Sequence, residues 1–491
     1  MSLSIGFDIA RSSLSTNAER ASIASRNIAA ANDPSASRKR ADLVGLDGGG
    51  ATLSTVERAV DTALTHRVRT SVTQLAEHRA VLDGLSTLNQ INGEPGDGIS
   101  SAELIARLRN DLATFASVPQ DRGAAMAALS TAGELANTLN AATRTVERVR
   151  STADAGIANG VRDLNRLLGE FEHVNHEIVS GKIVDHDVSD AQDRRDGIIS
   201  EISNLVGVRT IMRDYDDAVI ITDGGLTLFE TSARSISFQP SGTLTAGNQG
   251  EPVIVDGVRL TKQGAWGVSE SGSLVGMLSV RDELAPAVQS QLDEMARGLI
   301  ASFAESDQTG GGAPDQPGLF TYSGATAVPP DGAIIQGLAG AITIHANVDP
   351  DVGGNIWLLR DGGIADAGGA TYLQNTLGAA SFSDRLDHLS QALSETRSFD
   401  ATAGLQTSVG TISFAEQSVA WMSEQRSQAN LQTENASAIS INAQAALSRA
   451  TGINLDEEML LMLEVERSYQ ATTRLISTID QMYNELFSAV R

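Results

Sequence analysis

The chain has 491 residues, with 36 Lys and Arg against 61 Asp and Glu, for a formal net charge of −25. That length supplies about three domains and ample material for a core, while the acidic balance excludes nucleic acid and anionic lipid as the main partner, since phosphate binding needs a basic surface. Cysteine is absent, which excludes disulfides, thiolate metal sites and cysteine nucleophiles.

No apolar run is long enough to predict a membrane-spanning helix. The opening MSLSIGFDIARSSL lacks the basic and continuous apolar regions of a secretory signal peptide. Leu3, Phe7, Ala10, Leu14, Asn17, Ala21, Ala24, Ile28 and Ala31 follow alternating steps of four and three. All but Asn17 are apolar, so the spacing predicts a helix with a narrow, coiled-coil-like seam. Asn17 either sets register inside that seam or faces water. Such a helix runs roughly 45 Å before Asn32-Asp33-Pro34 ends it, because Pro34 disfavours helical geometry at Asp33.

Residues 53–91 and 100–118 read as helices, broken at Val118-Pro119; 122–182 read as long helices, and 190–205 as a short amphipathic one. The character then changes. Residues 218–222 and 226–230 flank Asp223-Gly224, and residues 252–255 and 258–260 flank Asp256-Gly257, two hairpin signals. Helix returns over 284–305, residues 306–332 read as Gly- and Pro-rich loop, and 341–348 and 355–360 as strands. From about Ser383 the pattern is helical to the end.

The last segment carries Met459, Leu460, Leu463, Val465, Tyr469, Leu475, Ile476, Ile479, Met482, Tyr483, Leu486, Phe487 and Val490. This stripe holds two adjacent seams, and one partner helix buries only one, so more than one neighbour is implied. The fold class is α+β, mainly α, with nested segments. Residues 1–34 form an N-terminal helix. Residues 35–205, 275–305 and 383–451 form a helical middle domain, and 206–274 and 306–382 form β-rich outer parts. Residues 452–491 form a C-terminal helix that pairs with 1–34. Ordering a helix costs about 1–2 kcal/mol per residue, and burying a large apolar side chain returns about 1.5–3 kcal/mol, alanine less. An Ala-rich pair hardly breaks even, so both ends are expected to be mobile alone and to order against neighbouring copies.

No constellation carries convincing chemistry. Glu170, Glu172, His173, His176 and Glu177 place two histidines on one helix face without a third spaced ligand. Asp185, Asp187 and Asp190 lack the glycine and terminal Glu of a calcium loop. Gly48-Gly49-Gly50 and Gly310-Gly311-Gly312 read as connectors, not phosphate loops. No GxSxG elbow occurs. Arg38-Lys39-Arg40 reads as a solvated or inter-subunit patch, and Trp266, Trp357 and Trp421 as packing residues.

The segment from Ser25 to Pro34 (SRNIAAANDP), with Ser37-Arg38 after it, resembles the N-terminal signature of bacterial flagellar axial proteins, the rod and hook family. The closing TGINLDEEMLLMLEVERSYQATTRLISTIDQMYNELF is similar to that family's end, and its portion 452–458 to the hook-associated members at the hook–filament junction. Residues 190–208 and 272–282 resemble internal hook-associated blocks. Ala30 stands where the family has a second Asn, and Ser35-Ala36 where Gly-Tyr is typical, so the turn after the first helix is expected to be built differently.

The resemblance implies paired terminal helices forming an inner tube, a helical-bundle middle and β-rich outer domains. It implies export through the flagellar type III apparatus without a cleaved signal peptide, a junction role, no catalytic site and no cofactor. The implied partners are the hook protein, the second junction protein (hook-associated protein 3), an export chaperone and further copies of the chain. The expected assembly residues are Leu3, Phe7, Leu14, Asn27, Ile28, Asn32, Leu455, Leu463, Tyr469, Leu475, Ile476, Ile479, Met482 and Leu486. Of these, Leu3, Phe7, Leu14 and Ile28 are expected to pack on Leu463, Leu475, Ile479, Met482 and Leu486. Another axial protein (hook or distal rod) is the alternative in the same class, a secreted acidic hydrolase the remote one. Adhesion through the β-rich part is compatible with either.

Overall fold

The computed structural model describes residues 3–33, 35–46, 49–91, 99–260 and 271–489; Pro34, Gly48, Trp266 and Val490 lie outside them. Helix α1 (Leu3–Ala30) leads into a hairpin, β1 (Lys39–Gly45) and β2 (Ala51–Arg58), and then α2 (Thr62–Asn89), α3 (Ser101–Ser117), α4 (Arg122–Ile183) and α5 (Ser189–Leu205). Six short strands follow: β3 (Val208–Met212), β4 (Ala218–Thr222), β5 (Thr227–Phe229), β6 (Ile236–Ser237), β7 (Ile254–Val255) and β8 (Val258–Arg259). Next come α6 (Ser273–Ser279), a π turn over Val280–Leu284, α7 (Ala285–Ser302), β9 (Phe320–Tyr322), α8 (Leu338–Ala341), β10 (Ile342–Ile344) and α9 (Leu358–Asp361). The chain closes with α10 (Asp384–Ala392), β11 (Arg397–Ser398), β12 (Ser408–Val409), α11 (Thr411–Thr451) and α12 (Leu455–Ala489).

The helix starts are chemically marked. Asp61 accepts from the Leu64 amide, Asp121 from the Gly123 amide, and Ser100 with Glu103 forms a capping box ahead of α3. Helix α4 then runs for 62 residues, because an apolar or small residue faces inward every three or four positions from Ala125 to Ile178. Two large core clusters are strung along it, and a small third one, Val174, Ile178, Val188 and Ala191, lies toward its end. Leu129, Leu135, Leu139 and Val146 face α3, α7, α10 and the start of α11; Ile157, Val161, Leu164 and Phe171 face α5, α6 and strands β3–β8. At the divide Arg281 pairs with Asp154 at 2.6 Å, and Arg150 donates to the carbonyls of Arg281 and Thr245. Both arginines are buried, so these partners offset an otherwise large desolvation cost.

The strands form five separate small antiparallel sheets among the described residues. The β7–β8 turn is the expected Asp-Gly type, with Asp256 at φ 46° and Gly257 at φ 84°. The β4–β5 turn is one residue longer than the Asp223-Gly224 signal suggested. Its left-handed residue is Gly225 (φ 94°), and the Thr222 amide donates to the Leu226 carbonyl. Gly272 stands at φ 110°, where an added Cβ would lie 2.5 Å from the Leu205 carbonyl oxygen. Gly272→Ala should therefore destabilise the body by about 3 kcal/mol, read as a lower urea midpoint.

Three stretches depart from the sequence expectation. Residues 53–58 are strand, not helix: Thr52, Thr55 and Val56 favour extended backbone, and Gly49 and Gly50, both at positive φ, close a hairpin instead of a loose connector. Residues 355–360 are a turn leading into α9, which stops at left-handed Gly362 and Gly363. The final helical region is interrupted by the β11–β12 pair before α11 begins.

Candidate assembly interface

Helices α1 and α12 run antiparallel, with a seam made of small and polar side chains. Ala10, Asn17, Ala24 and Asn27 are buried on α1, and Glu458, Val465 and Ile479 on α12. The Asn17 amide donates to the Ser468 hydroxyl at 2.9 Å, so Asn17 sits inside the seam. A Cβ added at Gly6 would lie 3.6 Å from Ile479. The other flank of α1 rests on the hairpin, where Ser12 and Thr16 donate to the Ala51 carbonyl.

The expected line is kept at Ala10, Asn17 and Ala24, which are buried, and Gly6 and Asn27 join it; Phe7 is exposed, and Leu14 and Ile28 are half-buried. Of the residues expected to receive this packing, Ile479 is buried, while Leu463, Leu475, Met482 and Leu486 each keep about half their surface exposed. Close backbone approach selects small side chains, and a leucine in each position would hold the helices apart. Leu455 and Tyr469 are also exposed, Ile476 is half-buried, and Asn32 is exposed in the turn after α1. Leu3 opens α1, and its side chain lies outside the described residues. With Met459, Leu460 and Phe487 also exposed, α12 carries extensive apolar surface besides its buried positions.

Where the pair meets the body, charge takes over. The Asn27 side chain accepts from the Lys39 amide at 3.0 Å and donates to the Lys39 carbonyl and to Glu458, which is fully buried. Arg38 pairs with Glu458 and Glu457, each at 2.6 Å. Lys39 reaches Asp190 at 2.7 Å and Asp193 at 3.0 Å; Arg58 bridges Asp193 and Asp196; Arg69 reaches Asp196 at 2.9 Å. Ser37 donates to Asp193, and Arg26 pairs with Asp187 at 2.9 Å. Arg38 and Lys39 are therefore neck residues, not a solvated or inter-subunit patch. The turn above them is held by Asp33, whose carboxylate accepts from the Ser35 hydroxyl and amide, contacts that keep it below the usual carboxylate range.

Burial opposes charge at Lys39, but its hydrogen bonds to Asp190 and Asp193 prevail and hold the ammonium above its ordinary value. Burial likewise acts to raise Asp187, and hydrogen bonds from Ser189 and Arg26 prevail to hold it below. The raised Lys39 contributes stability below about pH 10.4 that is lost as pH climbs through its folded value; the depressed Asp187 contributes above about pH 3.9 and is lost as pH falls through its folded value. The neck should accordingly stay closed at neutral pH and open below about pH 4. Small-angle scattering checks this: the radius of gyration should stay level, then grow at the acid end before the body loses helicity.

The remaining candidates are spent on structure. Glu170 pairs with Arg166, Glu177 with Arg194, and Glu172 accepts from the Ala233 amide. Asp187 and Asp190 belong to the neck, and Trp357 lies under Arg360. Trp421 packs half-buried against the core. Among the described residues no group of three or more His, Asp or Glu is placed to hold a metal ion, and no helix is long and apolar enough to cross a membrane. Sequence reasoning missed Arg58, Arg69 and Asp196; the charge-rich run from Asp190 to Asp196 was the signal that something basic had to meet it.

Two family models match in chain order. The one described as the flagellar hook-associated protein FlgK helical domain covers residues 85–320, and the flagellar basal body rod FlgEFG protein C-terminal model covers residues 443–488. Flagellar hook-associated protein 1 of Bacillus subtilis (strain 168) is 23% identical over 526 aligned residues, covering 99% of this chain and 98% of that protein. The Salmonella typhimurium protein of the same name is 21% identical over 265 residues, covering 52% of this chain and 46% of its own length. A solved structure of the flagellar hook junction protein FlgK from Burkholderia pseudomallei aligns with a TM-score of 0.42 and 21% identity, over 52% of this chain and 47% of that one. The sequence blocks 25–38, 190–208 and 452–458 meet in the neck, and the two models match in their proper order: residues 85–320 match the flagellar hook-associated helical domain, residues 443–488 match the rod-type C-terminal segment, and the whole chain is similar from end to end to flagellar hook-associated protein 1.

Proposed function

We propose that this chain is a structural adaptor of the bacterial flagellum, joining hook to filament by templated helical assembly. The carrying observation is α12: it buries only Glu458, Val465 and Ile479, yet Leu463, Leu475, Met482, Leu486 and Phe487 keep about half or more of their surface exposed. Apolar surface on that scale marks a contact surface. Further copies of the chain would cover it within one ring, the hook protein on one side and the second junction protein, hook-associated protein 3, on the other. An export chaperone would shield the same face beforehand. Export would run through the flagellar type III apparatus without a cleaved signal peptide, and the role requires no catalysis and no cofactor. The ordering of the ends divides by position. The neck-proximal halves of α1 and α12 are tied by Asn17–Ser468 and Asn27–Glu458, while the distal halves have little besides Ile479 and order on neighbours.

The rod-type match over 443–488 supports a second reading, as hook or distal-rod protein. An in-frame deletion in the source bacterium separates the two. Hooks without filaments, with filament protein lost to the medium, establish the junction role; missing hooks move the assignment to rod or hook; normal motile filaments refute both.

A further inference from the structure

The three hydrophobic clusters contain no residue of α1, β1, β2 or α12. Besides the chain crossings and the Arg38–Thr451 backbone hydrogen bond, what fastens the axial pair and its hairpin to the body is the charged part of the neck: Arg26, Lys39 and Arg58 facing Asp187, Asp190, Asp193 and Asp196. Asp193 on α5 is its meeting point, accepting from Ser37, Lys39 and Arg58. Lys39 on β1 is the matching member on the axial side, reaching Asp190 and Asp193 at once. Val60, on the crossing from the hairpin to α2, is exposed, so no apolar plug supplements these bonds there.

Apolar contacts are non-directional and tolerate rotation. Charge-assisted hydrogen bonds are directional, and a buried charge that loses its partner is strongly disfavoured. A joint made of the second kind is stiff in angle while every member is paired and has little residual adhesion once a member is lost. We propose that the neck is an electrostatic latch: Asp193 and Lys39 fix the angle of the axial pair to the body in the free chain, and loss of either charge lets the pair swing as an intact unit. The inference does not depend on the junction role.

The absence of cysteine makes the full chain directly testable by paired spin labels. One label pair, Ala471→Cys with Ser151→Cys, spans the neck; a second, Ser22→Cys with Ala471→Cys, spans only the two axial helices. All three positions are exposed. The parent chain should give one narrow distance for each pair. Asp193→Asn and Lys39→Gln should each lose the narrow distance across the neck and keep it within the axial pair. Lys39→Gln removes no side-chain contact of the body's core or of the α1–α12 seam, so it stands as the decisive variant should Asp193→Asn disturb α5. A broad cross-neck distance in the parent chain, an unchanged one in Lys39→Gln, or broadening within the axial pair would each overturn the latch.

Discussion

Leu475→Asp should leave a soluble, folded subunit with its axial helices still paired, and should abolish incorporation. Leu475 keeps 49% of its surface exposed on α12, so the free chain loses little. In an assembly that covers this surface, the variant forfeits roughly 2 kcal/mol of leucine burial and adds the cost of a buried, unpaired carboxylate. A combined penalty of about 4 kcal/mol lowers each docking equilibrium roughly a thousandfold. Complementing a deletion strain and counting filaments by electron microscopy reads the effect; normal filament numbers would remove this surface from the interface. Ile479→Asp is the contrast. Ile479 lies inside the seam against Gly6, so that variant should separate α1 from α12 in the free subunit, visible as loss of helicity before any assembly.

Arg385→Met should cost the body about 3–5 kcal/mol. Arg385 meets Glu305 at 2.7 Å with both side chains essentially without solvent, and Glu305 also accepts from the Ala365 amide. Burial pulls the Arg385 guanidinium below its usual value, with Glu305 acting against that pull. Removing the arginine strands a buried carboxylate with no cation beside it. The segment containing β9, α8, β10 and α9 should loosen first, giving early proteolytic cuts between residues 306 and 380 and a lower melting temperature. Replacing both partners, Glu305→Leu with Arg385→Met, should recover most of the loss, because no charge is left unpaired. A double variant no better than the single one would show that packing around the pair, not its charge, sustains the segment.

Periodicity served where the buried face is wide and the residues are large. Helices α3, α4 and α5 announce themselves through leucine, isoleucine and valine at helical spacing, with Ser100, Asp121 and Pro119 marking ends, and the turn at Asp256-Gly257 is local chemistry that no distant contact overrides. The α1 seam was harder to place. A rule that rewards large apolar residues gives weight to Phe7, Leu14 and Ile28, whereas close antiparallel packing buries Ala10 and Ala24 of the same series and brings in Gly6 beside them. The β1–β2 hairpin was hidden because serine and threonine blur its alternation and a glycine run looks like slack. The neck was the least legible part. Lys39 finds its partners in Asp190 and Asp193, and Arg38 finds Glu457 and Glu458 near the other end of the chain. No spacing rule connects such distant positions. What was visible was that residues 25–38, 190–208 and 452–458 each resembled one family; their convergence on one spot is a fact of the fold.

Helix α4 has a mechanical consequence. At 62 residues it is about 90 Å long, and both large core clusters hang on it. The distance between the clusters is therefore set by a continuous backbone, not by two surfaces pressed together. A pull along the molecule loads its hydrogen bonds in series, and a twist applied at the α5 end reaches the α10 end without crossing a sliding contact. In a rotating shaft, such a part would carry torque as a solid strut does.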